Sequence, residues 1–147
     1  MTQILPETRT ASLLEKVAIF SQKRQEVLAG NIANISTPGY RTRDLPVGDF
    51  QQALNKAIDL RKPAPPSLGD ELMPRQATGD MVENVFKSEL FLAQERKPGD
   101  LTFQDSANRS IETEVMEMTR NSLTQSAAIE LLTAQFRMTE AVISGRV

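Results

Sequence analysis

Residues 31–40 read Asn31-Ile32-Ala33-Asn34-Ile35-Ser36-Thr37-Pro38-Gly39-Tyr40, and they close one long helical pattern and reverse the chain. Asn31 and Asn34 lie three apart and share a helix face, so their amides can bond the carbonyls left free at a helix end. Pro38 disfavours helical geometry at Thr37 and sets its own φ for a turn. Gly39 supplies the positive φ that the third position of a type II turn, Thr37 to Tyr40, requires. Each residue alone marks an ordinary helix stop. Together they are far more specific.

Outward from this stretch, the chain reads helical on both sides. Upstream, residues 1–11 show no period and read as a flexible terminus, and Ser12 with Glu15 has capping-box spacing. Leu14, Ala18, Ser21, Gln25, Leu28, Ile32 and Ile35 then recur at steps of four and three, which predicts a core helix over residues 12–36 with a narrow seam. Downstream, Phe50, Leu54 and Ile58 predict a short amphipathic helix capped by Asp49. Residues 60–79 crowd prolines and glycines and read as a linker. Val82 to Leu90 fits a helix and Leu90-Phe91-Leu92 a strand, so that region stays open. Lys97 to Asp100 reads as a turn.

The last third is the cleanest periodic run. Ile111, Val115, Met118, Ser122, Gln125, Ile129, Leu132, Phe136, Thr139 and Ile143 alternate by four and three, with Ser110 as N-cap and Gly145 as stop. Early glutamates, Glu112, Glu114 and Glu117, suit the positive end of the helix dipole. The predicted fold class is therefore mainly α. Long helices near the two ends pair in a coiled-coil-like core, over 12–36 and 111–144, and residues 37–110 carry a short helix and an irregular middle with room for β-structure. Ser21, Gln25, Ser122 and Gln125 place a polar stretch midway along both seams, where buried polar residues can fix register.

Composition narrows the function classes. The chain has 147 residues, a net charge of −2, and neither cysteine nor histidine. That balance argues against nucleic-acid or anionic-membrane partners, and it removes disulfides, thiolate metal sites and the commonest general base. Glu112 and Glu114 stand two apart on a helix and do not face a common point, so no catalytic pair, metal site or cofactor is expected. Met1 to Thr10 lacks a basic-then-apolar leader, so no cleaved signal peptide is expected.

Asn31-x-Ala33-Asn34-x-x-Thr37-Pro38-Gly39-Tyr40 resembles the signature of the bacterial flagellar axial proteins, which build the rod and hook. Its continuation through Arg43 and Asp44 is most similar to the proximal-rod branch of that family. The resemblance covers Leu13 to Leu54, more loosely Leu90 to Leu101, and Asp105 to Ile143. It departs at Ser106, Ala107 and Arg109, which puts in doubt the tight turn expected before the last helix. It implies one axial domain over 1–147, passed unfolded through the flagellar type III export apparatus and assembled helically in the periplasm, in the basal body. Implied partners are copies of the chain, other rod proteins and an adaptor at the export gate, with no nucleic acid or small-molecule substrate. Phe50 and Leu54 fit the Phe-x-x-x-apolar motif by which such subunits are recognised at the gate, and they equally fit plain packing of a short helix. Core and subunit packing is expected from Leu14, Ala18, Leu28, Ile32, Ile111, Val115, Met118, Ile129, Leu132, Phe136 and Ile143. Apolar flanks (Leu13, Val17, Phe20, Val27, Leu123, Leu131, Met138, Val142) exceed what two helices can cover. Within the family the rival is another flagellar rod subunit; a cytosolic helical adaptor or export chaperone is the rival of another class, and the Thr37 to Tyr40 turn counts against it.

Overall fold

A computed structural model describes residues 6–60, 84–96 and 111–145, with residues 6–9 given by their backbone. Among them are three α-helices, α1 (Pro6–Ala33), α2 (Val47–Asp59) and α3 (Ile111–Ile143), and two strands of two residues each, β1 (Arg43–Asp44) and β2 (Gln94–Glu95). The described residues fall into two compact units: one holds α1, β1, β2 and α3, and the other lies within Pro46–Leu92. No described helix is long and apolar enough to cross a membrane.

The first helix begins six residues earlier than the capping-box reading placed it. Pro6 occupies the first helical position, where the missing N–H costs nothing and the fixed φ suits a helix. Ser12 and Glu15 therefore lie inside α1 and not at its start, and the helix ends at Ala33. The Asn34 N–H bonds Gly30 O at 3.2 Å, and the chain then tightens through short turns. Tyr40 N–H donates to Thr37 O at 3.2 Å, with Gly39 at φ 73°, which is the reversal that Pro38-Gly39 encodes.

Long helices α1 and α3 pack against each other along their lengths. They run antiparallel, because Asn31 meets Glu114 whereas Ser21, ten residues earlier, meets Asn121, seven residues later. The seam differs from the apolar series by one residue on each helix. On α1 the buried positions are Leu13, Phe20, Ser21, Arg24, Leu28 and Asn31. On α3 the buried or half-buried series is Glu114, Met118, Asn121, Gln125, Ala128, Leu132, Gln135 and Thr139. Both follow the four-three repeat of a narrow helix contact.

The expected packing residues divide accordingly. Leu28 is buried, and Leu14, Ala18, Ile32, Met118 and Leu132 are half-buried. Ile111, Val115, Ile129, Phe136 and Ile143 instead face solvent, with Phe136 61 % exposed and Ile143 78 %. Leu13 and Phe20, read as uncovered flanks, are buried. The side of α3 that faces α1 lies one residue from the apolar series, because Glu114 and Asn121 have partners that let polar side chains enter the seam.

In the second unit, α2 follows Pro46, and no side chain caps it. Asp49, expected at the N-cap, lies in the first turn, where its charge still meets the helix dipole. The buried face is Phe50, Ala53 and Ala57. Leu54 is half-buried and Ile58 is 41 % exposed, so of the series Phe50, Leu54 and Ile58 only Phe50 lies fully on the packed side. Phe50 packs on Phe86 and Phe91 at ring-centroid distances of 5.7 and 6.2 Å. Ser88–Phe91 forms a 3₁₀ turn, and the strand falls later, at Gln94–Glu95, not at Leu90 to Leu92. The proline-rich linker beyond Leu60, the Lys97 to Asp100 turn and the Ser110 cap lie outside the described residues.

Candidate functional site

The site is built from two features of the first unit: a buried ionic clasp, and a long helix whose outer faces are uncovered.

Asn31 is the clasp's pivot. It is fully buried at the end of α1. Its Nδ2 donates to Arg43 O at 2.7 Å and to Glu114 Oε2 at 2.8 Å, while its Oδ1 accepts from Arg43 N–H at 3.0 Å and Tyr40 O–H at 3.2 Å. The amide thus uses both donors and both acceptor positions, which is all it has. Sequence spacing suggests an amide bonding free carbonyls of its own helix end. Asn34 does so, donating to Gly30 O at 2.8 Å, but Asn31 reaches across to the strand and to α3. It grips Arg43 by backbone alone.

Around this pivot runs a chain of alternating charges. Arg24 sends Nε and Nη2 to the two oxygens of Asp44, each at 2.8 Å, the bidentate geometry that suits guanidinium to carboxylate. Its Nη2 also bonds Glu117 Oε2 at 2.8 Å, and Arg120 meets Glu117 from the exposed side at 3.3 Å. Arg96 bonds Asp44 Oδ2 at 2.8 Å and Glu114 Oε1 at 2.5 Å. Asp44 Oδ1 accepts from Leu45 N–H as well. Burial pushes the Asp44 carboxyl up, but hydrogen bonds and charge from Arg24 and Arg96 outweigh it and hold the group below the usual carboxylate range. The Arg24 guanidinium is held further toward its charged form, first by its hydrogen bond to Asp44, against the opposing effect of burial.

The clasp explains how two-residue strands persist. Arg43 pairs with Glu95 and Asp44 with Gln94, antiparallel, and Arg96 N–H adds a bond to Thr42 O at 2.9 Å. So short a ladder is marginal alone. Asp44 and Arg96 close the same chain ends by their side chains, and Arg41 adds an exposed pair with Glu95 at 3.2 Å.

Three groups of the first unit were not singled out by spacing, Arg24, Arg96 and Asn121, whereas Glu117 was read as a helix-dipole partner. Glu114, read as a helix-dipole partner, is 2 % exposed and bonds Arg96 and Asn31. A signal existed. Arg24 and Asn31 stand one heptad apart, as do Glu114 and Asn121, which puts each polar pair on a single face. Of the turn residues, Ala33, Asn34, Thr37, Pro38, Gly39 and Arg43 are exposed, Tyr40 and Asp44 are half-buried, and Asn31 is buried.

The second feature is α3 itself. Its seam uses one stripe, and large apolar side chains stand exposed on the others: Val115, Ile129, Phe136 and Ile143 on one flank, Leu131 and Met138 on the opposite flank, Met116 and Leu123 on the back. Among the described residues no group of three or more acidic side chains is placed to hold a metal ion. A groove of about 550 Å³ in the second unit is lined by Ala53, Leu60, Val85 and Leu90, with Asp49, Lys56 and Lys87 among its polar residues.

The profile of the family described as "Flagella basal body rod protein" matches residues 20–41, the second half of α1 and the turn. The flagellar basal body rod protein FlgB of Aquifex aeolicus is 30 % identical over 94 % of this chain and 95 % of its own length. The chain belongs to the FlgB family of flagellar basal body rod proteins. FlgB of Escherichia coli is 50 % identical over 42 residues, a match that spans 28 % of that protein's length. FlgB of Salmonella typhimurium is 53 % identical over 36 residues, 24 % of its length. The residues that the rod-protein profile matches include Arg24 and Asn31, two of the clasp's anchors on α1.

Proposed function

We propose that this chain is a structural subunit of the proximal rod of the bacterial flagellum, exported unfolded and uncleaved through the flagellar type III apparatus and assembled helically in the periplasm, where the rod transmits torque. The observation that carries the reading is the apolar surface around α3. A helix with large apolar side chains exposed on both flanks and on its back belongs inside something larger, and α1 covers only one stripe of it. Neighbouring subunits, copies of the chain and other rod proteins, supply the missing cover, and an export-gate adaptor meets the innermost copies. The family relationship supports the same role, and no part of it calls for an enzyme or a cofactor.

Recognition at the export gate through Phe50 and Leu54 fits this picture under one condition. Phe50 is 4 % exposed, so it is readable only in a chain whose second unit has not folded. An unfolded export substrate meets that condition.

Purified basal bodies from a strain lacking the protein test the proposal. Electron microscopy should show rings without a rod, restored by the gene in trans, and intact rods in the deletion strain would end it. The intact mass of the exported chain tests the absence of cleavage.

A further inference from the structure

We propose that Asn121 is a specificity residue that confines α3 to α1 of its own chain, in one register, and so keeps the apolar faces of α3 free for other subunits. The inference rests on the reading of those faces as assembly surfaces. It starts from a conflict. The apolar side chains of α3 recur at heptad spacing and suit pairing with any apolar helix, a second copy of α3 included. The contact that forms within the chain instead sets the polar Glu114 and Asn121 among Met118, Ala128 and Leu132.

That contact is selective for a physical reason. Asn121 is 4 % exposed, and its Nδ2 donates to Ser21 O at 2.7 Å and to Gln25 Oε1 at 2.8 Å. One heptad earlier, Glu114 meets Asn31 at 2.8 Å. A slip of α3 by a turn, or its exchange for another helix, would bury these groups without partners, and an unpaired polar group in a seam is costly. Buried Asn at a seam position sets register and partner in this way at some expense of stability. Glu114 also belongs to the ionic clasp, so its loss would disturb the strands. Asn121 touches only the seam and can be replaced without opening the clasp.

The absence of cysteine lets introduced thiols report the pairing. Val17 and Gln125 are both half-buried, one turn beyond Ser21 and Asn121 in opposite chain directions, and therefore stand at one level. Val17→Cys with Gln125→Cys, in the full chain, should cross-link within the monomer through a short bis-maleimide. Val17→Cys with Leu132→Cys, one heptad out of register, should not. Adding Asn121→Leu should raise the out-of-register and intermolecular products several-fold. Asn121→Ala, which adds no apolar bulk, should do so to a smaller extent.

The proposal is overturned if both variants cross-link as the parent does, or if the parent does not link Val17→Cys to Gln125→Cys. Either failure leaves the rod reading standing, since a rod subunit could fix its register elsewhere. Rods present in the deletion strain would remove the rod reading and leave the cross-linking result intact.

Discussion

At the scale of single residues, Asp44 ties α1, through Arg24, to the second strand's end, through Arg96. Its two oxygens take Arg24, Arg96 and a backbone N–H, and its side chain is 16 % exposed. Removing one partner of a fully buried ion pair costs about 3–5 kcal/mol, because the other charge stays behind unpaired. The remaining exposure lowers that figure, so Asp44→Asn should cost about 2–3 kcal/mol in urea denaturation. The pH dependence carries the sign of a depressed carboxyl. The folded group holds its proton less tightly than the unfolded one, whose reference value is 3.8, so stability from this group is complete above that pH and is lost as pH falls through the folded value. Urea midpoints between pH 6 and 3 should therefore fall less steeply in Asp44→Asn than in the parent. Equal slopes would mean that Asp44 adds nothing to the acid sensitivity.

At the scale of elements, the turn and α2 make opposite kinds of demand. Gly39 sits at φ 73°, yet a Cβ there would meet nothing within 4 Å, so a side chain is opposed by backbone conformation alone. Gly39→Ala should then cost about 1–2 kcal/mol and Gly39→Val somewhat more, while Gly39→Asn, which tolerates this region, should lose far less. Motility in the same order would tie the turn to assembly, and a non-motile Gly39→Asn strain would break the link. Phe50 poses a different problem, since packing and export recognition both predict that Phe50→Ala does harm. Phe86→Ala separates them, because it removes the same aromatic contact from the other side and should cost α2 a similar ~3–5 kcal/mol. Secretion lost in Phe50→Ala alone supports recognition, and secretion retained in both leaves only packing. Elements of this kind were legible wherever local chemistry decides them. The Pro38-Gly39 reversal, the stop at Gly145 and the span of α3 all follow from residues within a few positions. The start of α1 was not, because Pro6 and Ser12 both mark helix starts and only the structure chooses between them.

At the scale of the whole molecule, periodicity announced two long paired helices but not which stripe faces which. Two four-three series run along α3, sharing Met118, Gln125, Leu132 and Thr139 and differing in Val115, Ser122, Ile129 and Phe136 against Glu114, Asn121, Ala128 and Gln135. Hydropathy favours the first set, but the seam takes the second, since Ser21, Asn31 and Arg96 satisfy Glu114 and Asn121. No window of sequence contains that choice: Asn31 and Glu114 lie 83 residues apart. The consequence is that polar groups share the seam with Leu28 and Ala128, while large apolar side chains of α3 stand exposed beside it. Phe136 lies on the exposed side, 61 % exposed. Phe136→Glu should therefore leave the isolated chain's stability within about 0.5 kcal/mol of the parent, as surface substitutions do. In cells it should be exported at parental levels and yet fail to restore swimming, because a charge would enter each intersubunit contact unpaired. Phe136→Leu, which keeps the apolar surface, should swim. A motile Phe136→Glu strain would mean that this flank of α3 stays in solvent after assembly, and the subunit's neighbours would then have to be sought along Leu131 and Met138.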